Sequence, residues 1–151
     1  MSSKPSSPPI GLRLTRTSRA VSQAFERAMA DAGGSASTWQ VLLLVRSGNW
    51  ETQSALAEHL GITGATLTHH LNALERKGLV RRWREDSNRR VQRVELTDEG
   101  LEVFERLREV AREHDRRLRS QLSNDDIERL GELLQRLEAG VRDDEPALPV
   151  K

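Results

Sequence analysis

The sequence predicts a mainly α-helical protein that carries one small β-hairpin. Three observations lead there. Apolar residues recur at threes and fours over most of the chain, a glycine-containing turn joins two short helices near its middle, and one stretch switches to strand-like alternation. With 151 residues the chain can bury a real core, but 31% of them are charged and 36% hydrophobic. That balance suits long helices burying one stripe each, some of it against a partner chain.

Residues 1–9, rich in Ser and Pro, read as a disordered lead, and "DDEPALPVK", residues 143–151, reads as a disordered tail. The first helix is expected from about Leu12 to Ala32, with Leu14, Val21, Phe25, Ala28 and Met29 on one stripe, and "DAGGSAS" ends it with glycines. Ser37 then opens a second helix, with Gln40 three residues later in a capping-box pattern; "WQVLLLVRSG" is apolar on most faces, so this helix should be the most buried. Thr52 is the expected N-cap of a short third helix, "QSALAEHLG", with Leu56, Ala57 and Leu60 facing inward. Gly61 supplies a sharp exit, Ile62 plugs the corner, and Thr63 caps a fourth helix that ends near Lys77. Two short helices joined this way make a helix-turn-helix.

After Gly78, "LVRRWR" and "RVQRVEL" have strand character, and "EDSNR" between them is turn chemistry, so the pair should form a hairpin. Thr97 caps a long helix with Asp98 and Glu99 at its positive end. Leu101, Phe104, Leu107, Ala111, His114, Leu118 and Leu122 recur along it. Ser123 caps a last helix, with Asp126 at the capping-box position, and Gly140 marks its end. Its Ile127, Leu130, Leu134, Leu137 and Val141 step 3-4-3-4, the pattern of a helix–helix seam.

The chemistry on the fourth helix depends on phase. At about 100° per residue, Leu67, Leu71 and Leu74 share the inward face. Ala65, His69, Asn72, Ala73 and Arg76 lie opposite, with Thr66 and Thr68 on the flanks. The neighbours His69 and His70 therefore diverge and cannot chelate a metal as an i, i+4 pair would. Small residues with donors and acceptors suit insertion into a DNA major groove; an ordinary solvated face would carry similar residues. Arg76, Lys77, Arg81, Arg82, Arg84, Arg89, Arg90 and Arg93 then fall in one short segment, opposed only by Glu75, Glu85, Asp86 and Glu95, which favours phosphate contact.

The absence of cysteine excludes disulfides, thiolate metal sites and cysteine nucleophiles. No Ser/His/Asp order, phosphate-binding glycine loop or metal-ligand spacing is present, so neither an enzyme nor a cofactor is expected. No apolar run approaches spanning length and the N-terminal "MSSKPSSPPI" lacks a signal-peptide core; a cytoplasmic location without membrane partners is expected.

"LAEHLGITGATLTHHLNALERKGLVRR", a turn with "NRR" and then "VELTDEGLEVF" together resemble the MarR family of bacterial transcriptional regulators, over nearly everything between the two tails. The resemblance implies a winged helix-turn-helix at 36–98, flanked by dimerisation helices at 10–35 and 99–142. It also implies a homodimer on a pseudo-palindromic operator in double-stranded DNA, acting as a repressor relieved by a small aromatic or phenolic effector. Motif alignment puts recognition positions on Thr63, Thr66, Thr68, His69, Asn72 and Arg76, and wing positions on Arg89 and Arg90. Gln53 and Ser54, at a helix start, are expected to meet phosphate. Asn88 stands where the family commonly has an acid, which suggests a less fixed wing, and Gly64 stands where a more rigid residue is usual. The competing reading is a winged-helix protein-interaction module that does not bind DNA; it would be expected to lose the wing arginines and to carry an apolar recognition face.

Overall fold

A computed structural model of the chain describes residues 7–48 and 53–142. The elements run α1 (Ile10–Asp31), α2 (Ala36–Ser47), α3 (Gln53–Leu60), α4 (Gly64–Arg76), β1 (Val80–Arg84), β2 (Gln92–Leu96), α5 (Asp98–Arg119) and α6 (Asn124–Arg142). The chain divides into two units, 1–112 and 113–151, with α5 continuous across the boundary.

Glycine turns set the corners of the first unit. Gly33 (φ +80°) leaves α1 in the left-handed region, its N–H bonded to the Ala30 carbonyl, while the Gly34 N–H reaches Met29 O. That turn leaves Ser35 extended, and its Oγ accepts from the Thr38 N–H at 3.0 Å. The α2 cap is therefore Ser35 and not the expected Ser37 with Gln40: Ser37 already lies inside the first helical turn. The Glu26 carboxylate of α1 accepts the Ala36 N–H at 3.1 Å, placing an acid at the positive end of α2. The same hydrogen-bond pair recurs at Gly61 and Gly78, which end α3 and α4 at φ +65° and +72°. Thr63 caps α4 as expected, its Oγ1 accepting from Thr66 N–H at 3.1 Å. The cap expected at Thr52 lies outside the described residues, as do residues 1–6 of the lead and the 143–151 tail.

β1 and β2 pair antiparallel in the register Val80↔Leu96, Arg82↔Val94 and Arg84↔Gln92. Thr97 then ties the hairpin's exit to the end of α4. Its Oγ1 donates to Gly78 O at 2.5 Å and accepts from Gly100 N–H at 3.0 Å, while its own N–H reaches Leu79 O. Gly100 makes the approach possible, since a Cβ there would sit 1.9 Å from the Leu79 carbonyl oxygen.

The core joins Met29 of α1, Val41, Leu42 and Val45 of α2, Leu56 and Ala57 of α3, the three α4 leucines, Val80, and Phe104 and Leu107 of α5. Trp39 stacks on Phe104 with ring centroids 5.4 Å apart. Burial of Leu67, Leu71 and Leu74, each contributing about 1.5–3 kcal/mol, fixes which face α4 turns outward.

In the second unit, Ser123 and Asp126 form the expected reciprocal cap of α6. Two boundaries differ from expectation. α5 stops at Arg119, which puts Leu122 beyond the helix, and α6 runs through Gly140 to Arg142. Gly140 lacks a positive φ, and a glycine in that case weakens a helix without ending it.

Candidate nucleic-acid interface

The α3–α4 turn and the hairpin bring their polar ends together. A cavity of about 410 Å3 opens between the N-termini of α3 and α4 and the turn end of β2, lined by Gln53, Ser54, Gly64, Thr68, Arg90 and Gln92. Four of the residues expected from the sequence, Gln53, Ser54, Thr68 and Arg90, thus share one cleft. Gln53 Nε2 donates to Thr68 Oγ1 at 2.9 Å and joins the two helices across it. Both helix starts direct the positive ends of their dipoles here, and Arg90 adds a full charge.

The other expected residues lie around this cleft. Thr63 and Thr66 are exposed at the start of α4, their hydroxyls 2.9 Å apart. His69 and Arg76 are exposed further along the helix, and Arg89 is exposed in the hairpin turn. His69 and His70 diverge as phase requires, the former exposed and the latter half-buried, with rings tilted by 59°. Asn72 is different. It is half-buried, and its Oδ1 accepts a hydrogen bond from Arg82 Nη2. Gly64 starts a regular helix behind the Thr63 cap.

The wing is braced locally. Asn88 Oδ1 accepts from Arg90 N–H at 3.2 Å, Asn88 O accepts from Val91 N–H, and Arg84 Nη1 donates to Arg89 O at 2.9 Å. The amide at 88 thus orders the turn through main-chain groups.

Charge is less concentrated than the sequence suggests. Arg81 pairs with Glu95, Arg82 with Glu75 and Arg93 with Glu85. Arg76, Lys77, Arg84, Arg89 and Arg90 have no acidic partner among the described residues and supply the net positive surface. Gln92 was not expected from the sequence, and Arg82 was expected only as part of the basic cluster. Gln92 lines the cleft and Arg82 holds Asn72; each is a polar residue in the strand phase of buried Val80 and half-buried Val94 and Leu96, and that misplaced polarity was the available signal.

A capped helix presented by a helix-turn-helix, with a basic hairpin beside it, defines a winged helix-turn-helix protein. The profile of the MarR family matches residues 35–91. The chain is 30% identical over 128 residues to the HTH-type transcriptional regulator PecS of Dickeya dadantii (strain 3937), covering 83% of this chain and 77% of that one. It is 35% identical over 95 residues to the uncharacterized HTH-type transcriptional regulator YdgJ of Bacillus subtilis (strain 168), a match spanning 63% of this chain and only 56% of that relative. Among solved structures, the transcriptional repressor CouR bound to a 23-mer DNA duplex superposes with a TM-score of 0.77 at 30% identity, covering 86% of this chain and 92% of CouR. A MepR–DNA complex from S. aureus shares the fold, with a TM-score of 0.79 at 22% identity over 89% of this chain and 99% of MepR. The chain belongs to the MarR family, whose members are DNA-binding transcriptional regulators rather than enzymes.

Proposed function

We propose that this protein is a homodimeric repressor that binds a pseudo-palindromic operator, laying α4 in the major groove and the Arg89–Arg90 wing beside it. The observation that carries the reading is the cleft itself: two helix N-termini, Thr68 and Arg90 converge on one polar cavity beside unpaired arginines. CouR, a transcriptional repressor bound to a 23-mer DNA duplex in its solved structure, supports extending this to repression.

Support for the dimer comes from uncovered apolar surface. Apart from Leu43, Trp83 and Leu101, every exposed large hydrophobic among the described residues lies in the first half of α1, the end of α5 and its turn, or α6. Leu130, Leu134, Leu137 and Val141 are exposed on α6, and a row of this kind seeks a partner helix. The protein-interaction alternative gains nothing from the recognition face, which is polar. Release by a small aromatic or phenolic effector completes the proposal and rests on family membership alone.

Selection of bound fragments from the source genome, followed by fluorescence anisotropy on the recovered site, tests the reading. A palindromic site bound at least a thousandfold more tightly than random duplex is the expected result. Equal affinity for every duplex would remove sequence-specific regulation from consideration. Titrating small aromatic carboxylates and phenols into the complex checks the effector, through loss of anisotropy.

A further inference from the structure

Asn72 is held by a group from outside its own helix. Arg82, in the inward strand phase of β1, has a side chain only 13% exposed; its Nε donates to Glu75 Oε2 at 3.1 Å and its Nη2 to Asn72 Oδ1. A guanidinium has donors only, so the amide atom facing it must be the carbonyl oxygen, and the orientation of the Asn72 amide is set without ambiguity. Asn72 Nδ2 has no partner among the described residues and is not among the buried unpartnered polar atoms, so it meets solvent.

We infer that Arg82 is a positioning residue that makes Asn72 a donor-only reader of base edges, favouring guanine over adenine at one position in each half-site. This rests on the proposed DNA-binding mode. An unrestrained asparagine pairs with adenine by accepting from N6 and donating to N7. With its oxygen turned back onto Arg82 of β1, Asn72 presents the hydrogens of Nδ2, rather than an acceptor, to a base edge. Guanine offers N7 and O6 as adjacent acceptors, whereas adenine places the N6 amino group against a second donor. The Glu75 carboxylate, one turn along the same helix, takes the guanidinium through Nε and the same Nη2, so the β1–α4 junction and the amide orientation are a single device.

Selection from a randomised duplex pool, using the full chain and its Arg82→Met and Asn72→Asp variants, tests this. Methionine keeps the length of residue 82 but removes its donors. Aspartate keeps a partner for Arg82, so this variant guards against misfolding of the first. The native protein should show a guanine position in each half-site that prefers guanine over adenine by about tenfold. Arg82→Met should erase or invert that one preference and leave the other positions intact; Asn72→Asp should lose it through loss of the donor. Native motifs recovered unchanged from both variants would overturn the inference while leaving DNA binding standing. No motif from the native protein would instead overturn the DNA-binding reading, and the inference with it.

Discussion

Arg89 and Arg90 are neighbours with different surroundings. Arg90 lines the cleft and its N–H is held by Asn88, whereas the Arg89 side chain is exposed in the turn with only its carbonyl engaged, by Arg84. An exposed, unpaired arginine on a wing contributes mainly through release of counterions. Arg89→Ala should therefore weaken operator binding and reduce the slope of log K against log salt by about one, measured by anisotropy at several salt concentrations. An unchanged slope with unchanged affinity would mean that Arg89 does not meet phosphate. Gly100 governs a different property. Its missing Cβ lets α5 approach the Leu79 carbonyl, and main chain cannot yield as a side chain does. Gly100→Ala should cost about 1–3 kcal/mol or more in urea unfolding, despite alanine's better helix propensity. The sequence showed the glycine as part of a motif, "LTDEG"; only the packing of helix against turn shows why no other residue fits.

At the scale of elements, the caps were legible wherever a single candidate existed. Thr63 and Ser123 stood alone before their helices, while "SAS" offered α2 two serines, and the glycine turn chose the earlier one. α6 carries a pH dependence through its cap. Hydrogen bonds from the Ser123 backbone and side chain hold the Asp126 carboxyl below its ordinary value of 3.8. A depressed folded-state value means the cap stabilises α6 above the unfolded pKa, and that contribution is lost as pH falls through the lowered one. Far-UV circular dichroism should show helicity falling below about pH 4, with the part due to this cap missing in Asp126→Asn. A titration identical in the variant would assign the loss to other carboxylates. The strand phase of β2 was equally open to sequence reading, because Val94 and Leu96 alternate with Glu95. The partners of its arginines were not, because Glu75 lies seven residues before Arg82 and Glu95 fourteen after Arg81, distances that only folding closes.

At the scale of the whole molecule, regulation as proposed requires two copies. Leu134 is 39% exposed on α6, within the row that repeats at heptad spacing. Leu134→Glu should abolish dimers in sedimentation experiments and operator binding with them, since one recognition helix reads only a half-site. Native protein that stays monomeric at micromolar concentration would defeat this architecture. The two half-sites should be centred about 10 bp apart, the spacing at which two helices enter one face of the duplex.

The order of elements, the phase of α4 and the divergence of His69 from His70 were determined by sequence alone, because burial of three leucines at helical spacing leaves one face outward whatever surrounds it. The fold class and the family followed from the same local patterns. The gathering of Gln53, Ser54, Thr68 and Arg90 into one cleft, the loss of three arginines to ion pairs and the turning of Asn72 by Arg82 were decided only by tertiary structure. Periodicity reports the direction in which a side chain leaves its own helix or strand. What it meets there depends on groups that the chain brings back from elsewhere.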